Sequence, residues 1–314
     1  MFKQNVPLKD YSRYQIGGLA AYFLEISTKD DLLKGLKEWR KVSVAFPQEE
    51  KKIFILGGGT NILFSDEGFN GLVLKNSIDS IESKENKVTA GAGTLVVSLL
   101  DFCIENSLSG LEWAGGLPGT IGGAVRGNAG AFGGETKDSV LEVVSIDLET
   151  FQEIKRSKEE CEFSYRTSIF KTRAKNELIV SATFEFTKGN KEDIRSKILE
   201  KTEFRKIKLP LDYPNAGSIF KNVPFSLVPE QYKKELSQYV KNDPFPVVPT
   251  AKIIFLARLK DKKVGDAMVS DKHTNFIVNL GNAKASEVKA LIKIIKSAVR
   301  QKYQIELEEE IIYP

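Results

Sequence analysis

The residue types able to do chemistry in this chain are restricted by a single histidine, His273. A histidine-rich zinc site is therefore excluded, and any Ser-His-Asp triad would have to use that one residue. The two cysteines, Cys103 and Cys161, form neither a disulfide framework nor a CxxC metal pair. Catalysis must rest on Ser, Arg, Lys, Glu, Asp or Tyr side chains, or on a bound cofactor.

Two glycine-rich segments are the strongest signals for a bound ligand. The stretch Gly110–Gly134 contains ten of the 24 glycines, and the shorter GGGTN occupies Gly57–Asn61 after an apolar run. Ile62 stands where a Rossmann fingerprint needs glycine, and no GxxxxGK[ST] sequence occurs, so neither common nucleotide motif is present. Glycines let backbone amides approach a phosphate closely. Together the segments predict two backbone cradles around one phosphate-bearing ligand, and a dinucleotide cofactor fits them.

The elements that must position these segments alternate between helices and strands, which predicts an α+β protein. Thr28 and Asp31 predict the start of a helix by their capping spacing. Periodicity predicts further helices from Leu95 to Asn106, from Asn190 onward and from Ser286 to Gln301. Five apolar residues are expected to share one face of the last helix: Val288, Leu291, Ile292, Ile295 and Val299. Strands are predicted by short apolar runs and β-branched content at 52–56, 72–75, 140–147, 178–186 and 275–280, and in the terminal acidic segment IELEEEII.

Composition predicts an ordinary globular protein of 314 residues with two or three domains. The net charge of +4 suits an anionic small molecule and lacks the basic stripe of a nucleic-acid-binding protein. No apolar stretch approaches membrane-spanning length, and the N-terminal residues lack the apolar core of a signal peptide. We expect a cytoplasmic monomer without nucleic-acid or membrane partners.

Five motifs stand in order along the chain: ILGGGTNILFSDEGFNGLVLKN, GLEWAGGLPGTIGGAVRGNAGAFGGE, FSYRTSIFK, PNAGSIFKN and VSDKHTNFIVN. Together they resemble the MurB family of UDP-N-acetylenolpyruvoylglucosamine reductases. The 51 residues between Arg166 and Ser218 are similar to the subclass without the long tyrosine-bearing loop.

The resemblance implies an α+β fold of the FAD-binding p-cresol methylhydroxylase, or vanillyl-alcohol oxidase, type. FAD-binding subdomains are expected at 1–76 and 77–195, with a C-terminal substrate-binding domain at 196–314. The implied chemistry is reduction of UDP-N-acetylglucosamine enolpyruvate to UDP-N-acetylmuramate for peptidoglycan synthesis, with noncovalent FAD and with NADPH as electron donor.

The same resemblance assigns the glycine-rich segments to the FAD. The implied cofactor-binding residues are Gly57, Gly58, Gly59, Thr60, Asn61, Gly116, Pro118, Gly119, Thr120, Gly122, Gly123, Asn128 and Gly130. No metal is expected.

Three catalytic residues follow from the family motifs. By local sequence alone Ser218 is typical of a turn and Arg166 of a surface position; the resemblance makes Ser218 the general acid and Arg166 the group facing the substrate carboxylate. Alternation cannot choose among Glu306, Glu308 and Glu310, whereas the family's ending matches Glu310, which is expected to polarise the reacting centre. The implied substrate-binding residues are Tyr165, Lys221 and Asn222.

Two alternatives remain from the residues themselves. Another flavoenzyme of this superfamily, such as an alcohol or hydroxy-acid oxidase, would keep both glycine loops but would not need PNAGSIFKN. A non-enzymatic nucleotide-binding protein would account for the loops and the mild positive charge. It would leave the Ser, Arg and Glu motifs unexplained.

Overall fold

The chain divides into two compact units in the computed structural model, which describes residues 2–314 and, within them, all side chains except those of Ala45 and Glu49. Unit 1 comprises the described residues up to Val6, together with Ala20–Gly58 and Asn70–Arg205. Unit 2 comprises Pro7–Leu19, Gly59–Phe69 and Lys206–Pro314.

A four-stranded sheet near the N-terminus leads into the first glycine loop. Its spatial order is β1-β2-β4-β3, with β3 and β4 parallel, and its strands are β1 (Lys3–Pro7), β2 (Leu19–Ile26), β3 (Ile53–Leu56) and β4 (Phe69–Asn76). Helix α1 (Lys29–Val42) begins where predicted, because the Thr28 hydroxyl accepts a hydrogen bond from the Asp31 amide at 3.0 Å. Leu32, Leu36 and Trp39 bury one face of this helix.

An antiparallel five-stranded sheet of order β11-β10-β12-β6-β5 forms the second layer of unit 1. The remaining strands of the unit are β5 (Ile81–Lys84), β6 (Lys87–Gly91), β7 (Leu108–Ser109), β8 (Gly130–Ala131), β9 (Gly134–Glu135), β10 (Val140–Asp147), β11 (Glu153–Ser157), β12 (Glu177–Glu185) and β13 (Thr187–Lys188). Helices α2 (Val96–Glu105) and α3 (Ile121–Gly127) share an apolar core with this sheet. Helix α4 covers Lys191–Lys208, and the division between the units falls within it.

Unit 2 has its own apolar core around a long helix. Its elements are β14 (Val223–Pro224), α5 (Glu230–Leu236), β15 (Lys241–Asn242), β16 (Pro246–Val248), α6 (Thr250–Leu256), β17 (Lys263–Val264), β18 (Ala267–Val269), β19 (Ile277–Asn279) and α7 (Ala285–Tyr303). The strands form two antiparallel sheets, ordered β14-β16-β15 and β17-β18-β19. The five apolar residues predicted to share one face of α7 are all buried: Val288, Leu291, Ile292, Ile295 and Val299.

The predicted terminal strand is the one element that the structure corrects. Residues 304–312 are extended, but they make only isolated bridges, from Glu309 to Phe220 and from Ile312 to Ile62. Each neighbouring segment pairs at a single position, so no continuous ladder forms. Ile305 and Leu307 are nevertheless buried, which explains the alternating sequence pattern.

Both cysteines are buried, free thiols in unit 1. Burial raises the pKa of Cys103 to about 12 and that of Cys161 to about 11. Among the described residues, no cluster of three or more His, Cys, Asp or Glu side chains is arranged to hold a metal ion. No helix in the described part of the chain is long and apolar enough to cross a membrane.

Candidate active site

The first glycine loop meets the second glycine-rich segment inside unit 1. A Cβ atom on Gly58 would lie 2.9 Å from the Gly119 Cα, and one on Gly57 would lie 2.8 Å from the Thr120 hydroxyl oxygen. Lys75, on β4, donates a hydrogen bond from Nζ to the Gly57 carbonyl at 2.9 Å. The absence of side chains is therefore what lets the two backbones approach, as the two-cradle interpretation requires.

The second segment has a buried hydroxyl without a hydrogen-bond partner at the same place. Thr120 is 3% exposed, and its hydroxyl has no hydrogen-bond partner among the described residues. A Cβ on Gly123 would meet only that hydroxyl, at 3.6 Å, so this face of α3 is open, whereas Gly122 packs against Ala92. A buried orphan hydroxyl beside closely packed glycine backbones fits an anionic group such as the pyrophosphate of FAD.

Other glycines predicted to bind the cofactor are required by close packing within the protein itself. Gly59, in unit 2, has φ +63°, and a Cβ there would clash with the Tyr11 carbonyl, so only glycine fits at this position. Gly116 has φ +69° and packs against Thr202 and Arg205. Thr60 directly follows Gly59, and Pro118 lies between Gly116 and Gly119.

Arg166 occupies the tip of a tight two-residue turn in unit 1. Ser164 and Thr167 exchange both backbone hydrogen bonds at 3.1 Å, which leaves Tyr165 and Arg166 as the central pair. The Arg166 guanidinium donates to the Gly130 carbonyl at 2.8 Å, and its Cζ lies 5.0 Å from the centre of the Tyr165 ring. The second glycine-rich segment thus positions the predicted carboxylate-binding arginine.

Hydrogen bonds hold the turn against the C-terminal end of α3. Asn128 is fully buried, donates from Nδ2 to the Ser164 carbonyl at 3.0 Å, and accepts from the Lys137 amide at 3.0 Å. Ser168 donates its hydroxyl proton to the Arg126 carbonyl at 2.8 Å. Since both ends of the Asn128 amide are used within the protein, its side chain orients the Arg166 turn.

Arg166 itself has φ +58°, a left-handed conformation that is uncommon for residues other than glycine. Such a conformation costs about 1–3 kcal/mol and persists only when the surroundings enforce it. Lys171 contributes to that enforcement by donating from Nζ to the Arg166 carbonyl at 2.8 Å.

The segment that carries Ser218 lies in unit 2 and is held by a second buried asparagine. Asn275 is 3% exposed; it donates to the Phe220 carbonyl at 2.8 Å and accepts from the Phe220 amide at 3.1 Å. Its own carbonyl accepts from the Ile219 amide at 2.9 Å. Ser218 itself is half-buried and follows Gly217, which has φ +80°.

Glu310 is brought beside the same segment. Its amide donates to the Ile219 carbonyl at 2.8 Å, and its carbonyl accepts from the Asn61 side chain at 3.0 Å. Unit 2 therefore joins the segments of Ser218 and Glu310, whereas Arg166 belongs to unit 1. Asn61, predicted to touch the cofactor, uses its amide to hold the Glu310 backbone.

Comparison with known proteins shows to which family this chain is similar. Residues 33–149 match the FAD binding domain, and residues 209–313 match the C-terminal domain of UDP-N-acetylenolpyruvoylglucosamine reductase. The UDP-N-acetylenolpyruvoylglucosamine reductase of Fervidobacterium nodosum is 37% identical, over 98% of this chain and 90% of its own length. That of Clostridium novyi is 35% identical, over 98% and 91%. The chain belongs to the MurB family.

The MurB structure from Thermus caldophilus has the same fold. It covers 100% of this chain and 99% of its own, with a TM-score of 0.75 and 28% sequence identity. With the match to the FAD binding domain, this likeness confirms the predicted α+β fold of the FAD-binding vanillyl-alcohol oxidase type. The resemblance drawn from the five motifs is also confirmed, and it favours the reductase over the two alternatives.

The predicted substrate residues of this MurB chain are partly engaged by neighbours in unit 2. Lys221 forms an ion pair with the exposed Glu308. Asn222 accepts a hydrogen bond from the Thr250 amide at 3.2 Å, and the Thr250 hydroxyl donates to the Lys221 carbonyl at 2.6 Å. Together these contacts fix the backbone that follows Ser218.

Sequence reasoning missed the role of Asn275, although it lies in the quoted motif VSDKHTNFIVN. His273, two residues earlier, packs its ring edge-on against Phe276 with centroids 4.8 Å apart. Burial, with a contribution from the charge of Lys241, lowers the pKa of His273 to about 4. A histidine kept neutral in this way is suited to packing against Phe276.

Proposed function

We propose that this chain is an FAD-containing, NADPH-dependent UDP-N-acetylmuramate dehydrogenase. It reduces the enolpyruvyl group of UDP-N-acetylglucosamine enolpyruvate in peptidoglycan precursor synthesis. Family membership over nearly the whole chain supports the reaction class. The observation that carries the proposal to the site is the joining of the Ser218 and Glu310 segments through the hydrogen bond from the Glu310 amide to the Ile219 carbonyl.

The place where the two glycine segments meet in unit 1 would hold the cofactor. Gly57, Gly58 and Gly119 would keep side chains away from the pyrophosphate, and the Thr120 hydroxyl would be available to donate a hydrogen bond to it. When bound, FAD supplies hydride transfer from NADPH to the substrate. Thr60, Asn61, Pro118 and the other predicted glycines shape the loops around this contact.

The chain's own residues then polarise the substrate and deliver a proton. The Arg166 guanidinium grips the substrate carboxylate through two hydrogen bonds and stabilises the charge that develops there. Glu310 polarises the reacting carbon, and the Ser218 hydroxyl gives its proton to the carbon beside the carboxylate. Tyr165, Lys221 and Asn222 contact the substrate. Because the Arg166 turn is clamped in advance, the guanidinium needs little reorganisation on binding.

The organisation of the chain is part of the proposal. Residues 1–76 and 77–195 form the FAD-binding subdomains, and residues 196–314 bind the substrate. The two family matches, at 33–149 and 209–313, lie on either side of the boundary near residue 195. We also propose that the enzyme is cytoplasmic and acts as a monomer. Size-exclusion chromatography with light scattering tests the monomeric state.

Substrate-dependent oxidation of NADPH by the purified flavoprotein tests the function. We expect Ser218→Ala to keep its visible flavin spectrum and FAD reduction by NADPH. Its turnover with UDP-N-acetylglucosamine enolpyruvate should fall roughly 10²- to 10⁴-fold, because the general acid is missing. Ser226→Ala, at an exposed position of the same unit, is the matched control and should retain full activity. A flavin-containing wild-type protein whose NADPH oxidation does not increase with this substrate would refute the proposal.

A further inference from the structure

The extended terminal segment 304–312 of unit 2 carries an acid on its inward face. The apolar residues of that face are buried in the core around α7: Ile305, Leu307 and Ile311. The intervening acids Glu306 and Glu308 are exposed. Successive side chains of an extended chain point to opposite faces, so residue 309 belongs with the buried set. Within 305–311, all of which the structure describes, Glu309 is the one charged residue of the inward face.

Two groups compensate the Glu309 carboxylate. Nζ of Lys296, on α7, lies 2.7 Å from Oε1, and the Tyr313 hydroxyl donates to Oε2 at 2.6 Å. The Glu309 and Lys296 side chains are 25% and 37% exposed, so solvent screens this pair only partly. Burial opposes ionisation, but the hydrogen bonds from Lys296 and Tyr313 outweigh it and lower the pKa of Glu309. Glu309 is therefore ionised at neutral pH and tied to α7.

The apolar pattern alone does not fix the register of this segment. A slip of one residue would expose the buried face, but a slip of two keeps apolar residues inward and moves Glu310 by about 7 Å along the segment. Backbone pairing adds little, since the segment makes isolated bridges and no continuous ladder. Glu309 removes this ambiguity, because a segment slipped by two would set an apolar side chain against Lys296.

We propose that Glu309 is a positioning residue: its contacts with Lys296 and Tyr313 fix the register of the terminal segment and so keep Glu310 beside the Ser218 segment. The proposal rests on the proposed function in so far as Glu310 acts on the substrate. Glu309 acts through its neighbour, and its charge contributes specificity of register more than stability.

Glu309→Leu separates this role from a purely structural one. Leucine matches the apolar pattern of the inward face, so the variant should unfold at the same or a higher urea concentration than the wild type. Reoxidation of the NADPH-reduced enzyme by UDP-N-acetylglucosamine enolpyruvate should slow roughly 10-fold, because Glu310 is displaced. Reduction of the enzyme by NADPH should be unchanged. A purely structural acid would show the opposite, with lower stability and an unchanged rate of reoxidation.

Hydrogen exchange measured by mass spectrometry reports the register without the reaction. The Glu310 amide donates to the Ile219 carbonyl, and the Lys221 amide donates to the Glu308 carbonyl, so both amides depend on the alignment of the two segments. Peptides that contain these amides should exchange about 10-fold faster in Glu309→Leu than in the wild type. Peptides from α7 should exchange as before.

Three further variants make the test specific. Glu306→Leu removes an exposed acid whose ion pair with Arg300 also joins this segment to α7, and it should change neither reoxidation nor exchange. Glu309→Gln keeps the shape and one acceptor oxygen, so it should recover most of the rate lost in Glu309→Leu. In a Glu310→Gln background, Glu309→Leu should slow reoxidation no further, because its effect passes through Glu310.

The proposal is wrong if Glu309→Leu is less stable than the wild type, or if its reoxidation and exchange are unchanged. It is also wrong if the loss of rate adds to that of Glu310→Gln. A wild-type flavoprotein that this substrate does not reoxidise would refute the proposed function instead. The exchange measurement would still decide whether Glu309 fixes the register.

Discussion

The turn at Tyr165–Arg166 in unit 1 and the turn at Gly217–Ser218 in unit 2 each contain a residue with positive φ, but they place it differently. In unit 1 the left-handed residue is the functional side chain itself, Arg166 at φ +58°. In unit 2 it is Gly217 at φ +80°, and Ser218 follows in ordinary backbone geometry. The strain in unit 1 therefore falls on the proposed catalytic residue, whereas glycine removes it in unit 2.

The clamps under the two turns differ in the same sense. Asn275 bonds to both backbone groups of one residue, Phe220, and so imitates a strand partner. Asn128 instead bridges two separate segments, at Ser164 and Lys137. The strained turn of unit 1 is thus held through two separate segments, whereas the relaxed turn of unit 2 is held at a single residue, Phe220. The following predictions test this difference, from the largest expected effect to the smallest.

Asn275→Ala should lower the free energy of unfolding by about 2–5 kcal/mol, because it leaves two buried backbone groups of Phe220 without partners. Urea denaturation measures the change. Asn242→Ala, at an exposed position of unit 2, should stay within about 0.5 kcal/mol of the wild type. A loss below about 1 kcal/mol in Asn275→Ala would show that the register of the Ser218 segment does not depend on this amide.

Acid should weaken unit 2 through His273, the one histidine of the chain. Its pKa falls from 6.5 to about 4 on folding, so the unfolded state binds the proton more tightly. Stability is therefore fully present above about pH 6.5 and is lost as the pH falls toward 4. Between about pH 7.5 and pH 5 we expect a loss of about 2 kcal/mol from this group.

The difference between wild type and His273→Gln in urea denaturation at both pH values isolates that loss, since carboxylate titration is common to both proteins. The wild type should lose more stability than the variant on acidification. Equal losses would mean that His273 titrates normally in the folded protein.

Arg166→Gly should be more stable than Arg166→Ala by about 1 kcal/mol, because only glycine adopts the left-handed conformation without cost. Both variants lack the guanidinium, so the comparison isolates the backbone. At Lys175, an exposed turn position with negative φ, alanine should match or exceed glycine. The same order at both positions would mean that the Arg166 turn relaxes once its side chain is removed.

Local sequence signals predicted much of the fold. The capping pair at Thr28 and Asp31, the strand at Val140–Asp147 and the apolar face of α7 were confirmed, since each depends on spacing within one element. The terminal acidic strand was wrong because alternation reports burial of Ile305 and Leu307, not the presence of a partner strand. Pairing is a long-range property.

The candidate site was predictable as motifs and not as geometry. The family resemblance identified Arg166, Ser218 and Glu310, and their roles stay predictions. The left-handed turn, the two asparagine clamps and the orphan hydroxyl of Thr120 depend on residues far apart in the chain. Asn128 and Ser164, for example, are 36 residues apart. No local pattern indicates which amide will meet which carbonyl.

The burial of both cysteines makes them native reporters of one part of the molecule. Cys103 and Cys161 belong to unit 1, and their raised pKa values keep the reactive thiolate scarce at neutral pH. An alkylating reagent would react with them only when unit 1 unfolds locally or globally. The rate of modification therefore measures the rate of that unfolding without an engineered label. Cysteines introduced elsewhere on the surface could carry spectroscopic probes selectively, with both native thiols left in place.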